Sequence, residues 1–366
     1  MTLFDVMVVG GGPVGLAAAI EARLAGLSVV VIEPRAGAID KACGEGLMPG
    51  AVPLLERLGV RPHGHPLAGV GYYAASAPIR DVRARSTRRT GPERARTRGV
   101  EHRFAGGAGL GVRRIVLHAA LTERATELGV DFVRGRADAI EQHEDRVTVA
   151  AGGHRIDGRW LLGCDGLHST VARQAGLARG SREGERRYGI RQHFSVAPWT
   201  DLIEVHYGPS AELYVTPVAD DTVGIAMLAR QGTSFEEALA GAPALTDRLA
   251  GAQEASGRRG AGPFRQRTRA RVAGRVLLVG DASGYVDALT GEGLRLGFAQ
   301  ASAAIASVLA NDPSRYEREW RRITRDFRML TTGLVAWADS PARGALVPTA
   351  ARLPWVFGAV VERLAR

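Results

Sequence analysis

Lysine is nearly missing from this 366-residue chain: Lys41 is the only one, and every other long cation is an arginine. An arginine is a rigid, permanently charged fork, whereas a lysine ammonium is a compact point charge with a tunable pKa. The lone lysine therefore marks its own position. Cysteine is scarce too: Cys43 and Cys164 each stand beside glycine in loop-like stretches, which argues against a disulfide framework and leaves any thiol role local. Long apolar runs are absent. The best, Leu353 to Val361, contains Pro and Gly and is about half the roughly 20 residues a bilayer helix needs. A strand pattern begins at once, over Phe4 to Val9, leaving no room for a leader; the expectation is a cytoplasmic protein without a transmembrane segment.

What is abundant is positive charge, +10 in formal terms, alongside 45% hydrophobic residues, an ordinary fraction for a folded core. Nine arginines crowd between Arg80 and Arg103 against Asp81, Glu93 and Glu101, with no aromatic residue among them. A nucleic-acid groove interleaves stacking rings with its cations, so the stretch reads as an exposed segment and no nucleic-acid partner is expected. A dock for NADPH phosphates or for an acidic carrier protein is the functional alternative for it.

Periodicity gives the organisation. A strand over Asp5 to Val9, a glycine turn, a helix from Pro13 to Ala25 and a strand from Ser28 to Ile32 make a β-α-β unit closed by Glu33. Leu117, Leu121, Ala125 and Leu128 lie on one face of a second helix, Arg114 to Gly129, that leads into Asp131-Phe132-Val133. Short strands follow at Val147-Thr148-Val149 and Trp160-Leu161-Leu162-Gly163. From Tyr188 to Ala229 the pattern alternates with turn residues between segments, which predicts an antiparallel sheet. Arg275 to Val279 returns to a buried strand before an alanine-rich helix over Leu294 to Leu309. The fold class predicted is α/β, α+β overall: a discontinuous Rossmann-like nucleotide domain (1–68, 104–180 and 266–312), an inserted antiparallel-sheet substrate domain (69–103 and 181–265), and a C-terminal helical region (313–366). The terminal stretch Trp355 to Arg366 reads as a packed helix rather than a membrane-surface one.

Two glycine loops carry the chemistry. In Gly10-Gly11-Gly12-Pro13-Val14-Gly15, small residues let backbone approach a pyrophosphate, and the helix opening at Pro13 offers free amides and a positive dipole end. Glu33, with Arg35 beside it, is placed for an adenosine ribose and would repel a 2′-phosphate. This turn alone does not separate NAD from FAD. The second loop does: a buried strand delivers Gly280-Asp281-Ala282, and the chain then passes Gly284 and Thr290-Gly291-Glu292-Gly293 into a helix. Asp281 suits a ribityl hydroxyl, and the amides of Gly293 and Leu294 suit negative charge at the N1/C2 end of a reduced flavin. The expected cofactor is FAD, and no metal site is expected.

These residues resemble the flavoprotein superfamily of para-hydroxybenzoate-hydroxylase-like monooxygenases (group A flavin monooxygenases), geranylgeranyl reductases and flavin-dependent halogenases. The resemblance rests on the Gly10 turn with Glu33, on Arg114-Ile115-Val116-Leu117, on Cys164-Asp165-Gly166-Leu167-His168-Ser169, and on Val279-Gly280-Asp281-Ala282-Ser283-Gly284. It implies an extended FAD contacted by Arg114 and Asp165, NAD(P)H as a transient reductant without a Rossmann domain of its own, and a sheet covering the substrate. Lys41-Ala42-Cys43-Gly44-Glu45-Gly46-Leu47 looks like the reductase branch, where a Cys-Gly segment approaches the flavin.

The chain also departs from each branch. Gly284-Tyr285 follows Ser283 where hydroxylases often have a His, and Ala288 stands where Pro is common. None of Trp160, Trp199, Trp320, Trp337 and Trp355 lies in a halogenase Gly-Trp-x-Trp-x-Ile-Pro signature, and Leu213-Tyr214-Val215-Thr216-Pro217 replaces the reductases' aromatic strand. The reading is an FAD-dependent oxidoreductase, an NAD(P)H-dependent monooxygenase of an aromatic or polyketide-like small molecule, free or carrier-protein-tethered, in secondary metabolism. The alternatives are a carbon-carbon double-bond reductase, a flavin-bound non-redox cyclase and a halogenase. Lys41 and Cys43 are the candidate catalytic residues, and His193, His206 and Tyr214 the candidate pocket groups.

Overall fold

Residues 3–42, 45–74, 99–180, 187–208 and 210–366 are described by the computed structural model. The chain opens with β1 (Leu3–Val9), α1 (Pro13–Leu24) and β2 (Val29–Glu33), then leaves for a second sheet through β3 (Gly69–Ala74) and β4 (Gly99–Arg103). It returns with α2 (Arg114–Glu127), β5 (Asp131–Arg134), β6 (Ala137–Gln142), β7 (Val147–Ala151) and β8 (His154–Gly163). A second excursion supplies β9 (Arg187–Ser195), β10 (Leu202–Tyr207), β11 (Ala211–Ala219), β12 (Thr222–Arg230), α3 (Phe235–Ala240) and α4 (Pro243–Arg248). The chain then re-enters the first sheet with β13 (Val276–Leu278) and α5 (Gly293–Leu309), followed by α6 (Pro313–Ala338), α7 (Leu346–Arg352) and α8 (Pro354–Ala365).

The first sheet is parallel in the order β13-β8-β1-β2-β5, with β7 and β6 added antiparallel beyond β8. Its central strands are apolar on both faces because both faces are covered. On one side Val6, Val8, Val29 and Val31 pack against α1, α2 and α5, joined by Tyr316 and Trp320 of α6. On the other, Met7, Val30 and Ile32 pack under Val147 and Val149 of β7 and Val171 and Ala172. The predicted short strand at Trp160 proves to be the end of a ten-residue strand, because β8 also pairs with the β7 hairpin before it enters the parallel core.

The second sheet runs β4-β3-β10-β11-β12-β9. It is antiparallel as expected except at one join: β3 lies parallel to β10, with Tyr72 opposite Val205. Alternation reports which face a residue occupies and not which way its neighbour runs, so a parallel partner from far upstream leaves no mark in it. One face of this sheet packs Leu213, Val215 and Ile225 on α3 and α4; the far end of the other face is covered by Leu346, Val347, Phe357 and Val361 of α7 and α8.

Helix α6 buries Tyr316, Trp320, Thr324, Phe327 and Thr331, a single stripe at three- and four-residue spacing. A buried ion cluster ties the C-terminal helices to the sheet: Arg187 meets Glu212 and Asp287, and Arg343 reaches Glu212 at 3.2 Å. Helix α8 is pinned through Glu362, which accepts from His102 and from the Ala105 amide at 2.8 Å each. It leaves Trp355 74% exposed. Among the described residues no single helix is long and apolar enough to cross a membrane. Apart from Gly99 to Arg103, the arginine stretch lies outside the described residues, and Arg103 pairs with Asp201.

Candidate active site

The end of β1 and the start of α1 form the first wall of a deep cleft. Gly10 has φ +104°, and a Cβ there would lie 2.6 Å from the Cys164 carbonyl oxygen, so only glycine fits between β1 and β8. A Cβ at Gly15 would sit 1.9 Å from the Gly10 oxygen, which is why the helix starts so close to the turn. Gly12 is different: its Cβ would meet nothing within 4 Å, and it lines the cleft with Pro13 and Val14. The turn therefore offers bare backbone and the amides of a helix start to whatever fills the cleft.

Glu33 braces this turn. Its Oε2 accepts from the Gly11 amide at 2.8 Å, and its Oε1 accepts from the Arg35 amide and Nε at 3.0 and 2.7 Å. Burial pushes its pKa up, but the Arg35 side chain and the Arg35 and Gly11 amides together hold it below the usual value, so it is ionised. His118, which the sequence reading did not single out, supports the same turn from α2: its Nε2 lies 2.8 Å from the Gly11 oxygen. A carbonyl can only accept, so Nε2 carries the proton. Burial holds the His118 pKa down, favouring this neutral form. Its only trace in sequence is a polar side chain on the apolar stripe of α2.

The opposite wall comes from β13 and α5. Asp281, Gly291, Gly293 and Leu294 line the cleft, as do Arg114, Asp165 and Lys41; Gly280 sits buried behind Asp281. Lys41 Nζ stands 3.9 Å from Asp281 Oδ2, with both side chains partly open to the cleft. Asp165 reaches the cleft, but its carboxylate is turned to the helix start at Thr170: Oδ1 accepts from Ser169 at 2.5 Å, and Oδ2 accepts from the Thr170 and Val171 amides at 2.6 and 3.1 Å. Its visible duty is that of a cap. Cys164 is half-buried where it lines the cleft, and its loss of solvation pushes the thiol pKa up, which leaves it unreactive. Cys43 lies outside the described residues.

A second, largely apolar pocket adjoins the cleft and shares four residues with it: Ala42, Phe264, Ala288 and Gly291. Its floor is the second sheet, and Val361 and Leu364 of α8 close one end. Tyr214 lines this pocket and donates its hydroxyl to the Leu289 oxygen at 3.0 Å. The two histidines expected there are elsewhere. His206 alternates to the other face of β10, 2.9 Å from Glu204 and stacked on Tyr73, while its neighbours Ile203 and Val205 face the pocket. His193 is fully buried behind the wall.

His193 belongs to a charged network that joins pocket and cleft. Its Nδ1 lies 2.9 Å from Arg191 Nη1 and 2.8 Å from Ser256 Oγ, and its Nε2 lies 2.6 Å from Glu45 Oε2. Guanidinium can only donate, so Nδ1 accepts and Nε2 carries the hydrogen bonded to Glu45. The other Glu45 oxygen accepts the Arg114 amide at 2.9 Å, and Arg191 also binds Asp40. One carboxylate thus ties the chain at Glu45, the first residue of α2 and the pocket wall together. Sequence reasoning passed over Glu45 and Arg191; Glu45 stood inside a highlighted segment, whereas Arg191 carried no motif.

The cleft's chemistry fits an extended dinucleotide: a glycine turn with bare backbone at one end, an ionised carboxylate beside it, and an aspartate with a second helix start at the other. The family model described as "FAD binding domain" matches residues 3–312. Rifampicin monooxygenase of Streptomyces venezuelae is 35% identical over 182 residues, covering 48% of this chain and 34% of that protein. The match thus spans only about a third of that relative's length. Menaquinone reductase of Mycobacterium tuberculosis is 28% identical over 336 residues, covering 85% of this chain and 78% of that one. Among solved structures, a triple mutant of a flavin-dependent brominase superposes with a TM-score of 0.81 at 16% identity, covering 99% of this chain and 94% of that one.

Proposed function

The chain belongs to the FAD-binding-domain family, and from that premise we propose that it is an NAD(P)H-dependent monooxygenase of a bulky, largely apolar aromatic or polyketide-like small molecule. The observation that carries this reading is the shared wall of Ala42, Phe264, Ala288 and Gly291, which sets an apolar pocket directly against the cofactor cleft. Rifampicin and tetracycline monooxygenases among the relatives support the reaction class. Bound FAD supplies a redox centre that takes reducing equivalents from NAD(P)H and delivers them to oxygen.

The protein's own share is binding, orientation and exclusion of water. In this reading the Gly10-to-Gly15 turn receives the pyrophosphate, Glu33 and Arg35 border the adenosine ribose, and Arg114 lies along the cofactor. Asp281 binds a ribityl hydroxyl, and the Gly293 and Leu294 amides stabilise negative charge at the ring. Glu45 and His193 hold the segment carrying Lys41 against that ring, with the His193 proton kept on Nε2. The apolar walls around Tyr214 and Phe264 keep water from the reacting face.

Double-bond reduction is the second reading, favoured by the placement of the only lysine, Lys41, at the cleft beside Asp281. The two separate under argon. Substrate-stimulated NAD(P)H consumption that stops when oxygen is removed is the expected result. Continued consumption under argon, with a reduced product, would replace oxygenation by reduction.

A further inference from the structure

The pocket floor is one transverse row of the second sheet. Arg191 on β9 stands opposite Ala226 on β12, Ala226 opposite Tyr214 on β11, Tyr214 opposite Val205 on β10, and Val205 opposite Tyr72 on β3. All five line the pocket. Four strand spacings of about 4.8 Å make this row roughly 19 Å long. It is polarised: its charged residue is at one end, and at the other Tyr72 packs on Phe357 of α8 at 4.9 Å.

Arg191 is 1% exposed, yet it lines an otherwise nearly uncharged cavity. A guanidinium has five N–H donors. Two are used, one on His193 and one on Asp40. The Nε–H has no hydrogen-bond acceptor among the described residues: Glu45 Oε1 stands 3.9 Å from it, within ion-pair range but too far for a hydrogen bond. Leaving a buried charged donor unmatched is costly and calls for an explanation, one of which is an acceptor brought by a bound molecule.

We propose that this pocket takes an elongated, mostly apolar molecule bearing one acidic oxygen, a phenolate, enolate or carboxylate, and that Arg191 receives that oxygen while the apolar body runs toward Tyr72 and α8. The proposal rests on the pocket being the substrate site, and it assigns Arg191 as the residue that sets which end of the substrate enters first. Orientation along the row then decides which carbon lies against the Ala42–Phe264 wall that the pocket shares with the cofactor cleft.

The test compares two ligands of one shape: lawsone, whose hydroxyl ionises at neutral pH, and menadione, which carries a methyl group in the same place. Each is titrated into the oxidised, FAD-loaded protein and followed by the flavin absorbance band. A charge-assisted hydrogen bond predicts that lawsone binds about tenfold or more tighter, and that Arg191→Met removes this preference while menadione binding persists. Should Arg191→Met lose its FAD or its fold, Arg191→Lys keeps a charge against Asp40 but loses the fork, and lowers the preference. Equal binding of the two ligands by the unaltered protein, binding of neither, or an undiminished preference in whichever variant folds would overturn the proposal. Neither NAD(P)H nor oxygen is consumed, so failure here leaves the oxygenation reading standing, and failure of that reading leaves this one.

Discussion

Lys41 and Asp281 meet at 3.9 Å across a cleft open to solvent, with their side chains 40% and 29% exposed. An ion pair so placed contributes little to stability. Asp281→Ala removes a charge-assisted acceptor, and FAD affinity is expected to fall about tenfold or more; the flavin-to-protein absorbance ratio after purification measures it, and full occupancy would remove Asp281 from the cofactor's partners. Lys41→Arg replaces a point charge by a fork that can clasp Asp281 in a bidentate pair. The variant should fold and bind FAD yet turn over about tenfold more slowly, a loss of about 1.4 kcal/mol at the barrier; unchanged turnover would make the lysine incidental. At this scale the sequence was legible where a residue type was rare or bound to a glycine motif, as Lys41, Glu33 and Asp281 were. It was silent on Arg191 and Glu45, since their significance comes from strands and loops far apart in the chain, Glu45 meeting His193 across 148 positions.

Elements were legible by period and blurred where one residue serves two of them. The β1-α1-β2 unit and α5 follow from their apolar patterns and glycine turns. The alternation of β10 was also clear, but which of its faces met the pocket was not, and that face assignment sent His206 the wrong way. Asp165 illustrates the same limit: it lines the cleft, yet Oδ2 accepts the Thr170 and Val171 amides at the helix start while Oδ1 holds the Ser169 hydroxyl. Asp165→Ala should therefore cost about 1 kcal/mol of stability in denaturant unfolding while keeping FAD bound; loss of FAD at unchanged stability would return Asp165 to the cofactor. The start of α5 carries a titrating group. Glu292 is buried, with Arg295 on one oxygen and no partner among the described residues on the other. Burial raises its pKa from 4.5 to about 7 against the opposing pull of Arg295. Below 4.5 both folded and unfolded forms hold the proton and its contribution is complete; between 4.5 and about 7 the unfolded chain ionises first, so stability falls as pH rises. The melting temperature of the unaltered protein, relative to Glu292→Gln, should decline across that window, and a constant difference would contradict the assignment.

Among the described residues, the two large sheets are threaded by one chain that crosses between them four times. The crossings place Ala42, Phe264, Ala288 and Gly291, drawn from three separate stretches, on one wall shared by the cofactor cleft and an apolar pocket. No local pattern encodes such a wall. The parallel step between β3 and β10 and the roofing of the pocket by α8 are likewise products of long-range pairing. Under the proposed monooxygenase function, reducing equivalents held in the cleft reach a molecule in the pocket by way of oxygen. The direct measurement is turnover with NAD(P)H under heavy-isotope oxygen gas, using an anhydrotetracycline-like polyketide as substrate and mass spectrometry of the product. One heavy oxygen atom per product molecule, taken from the gas, is the predicted result. A product lacking it, formed equally well without oxygen, would contradict the account.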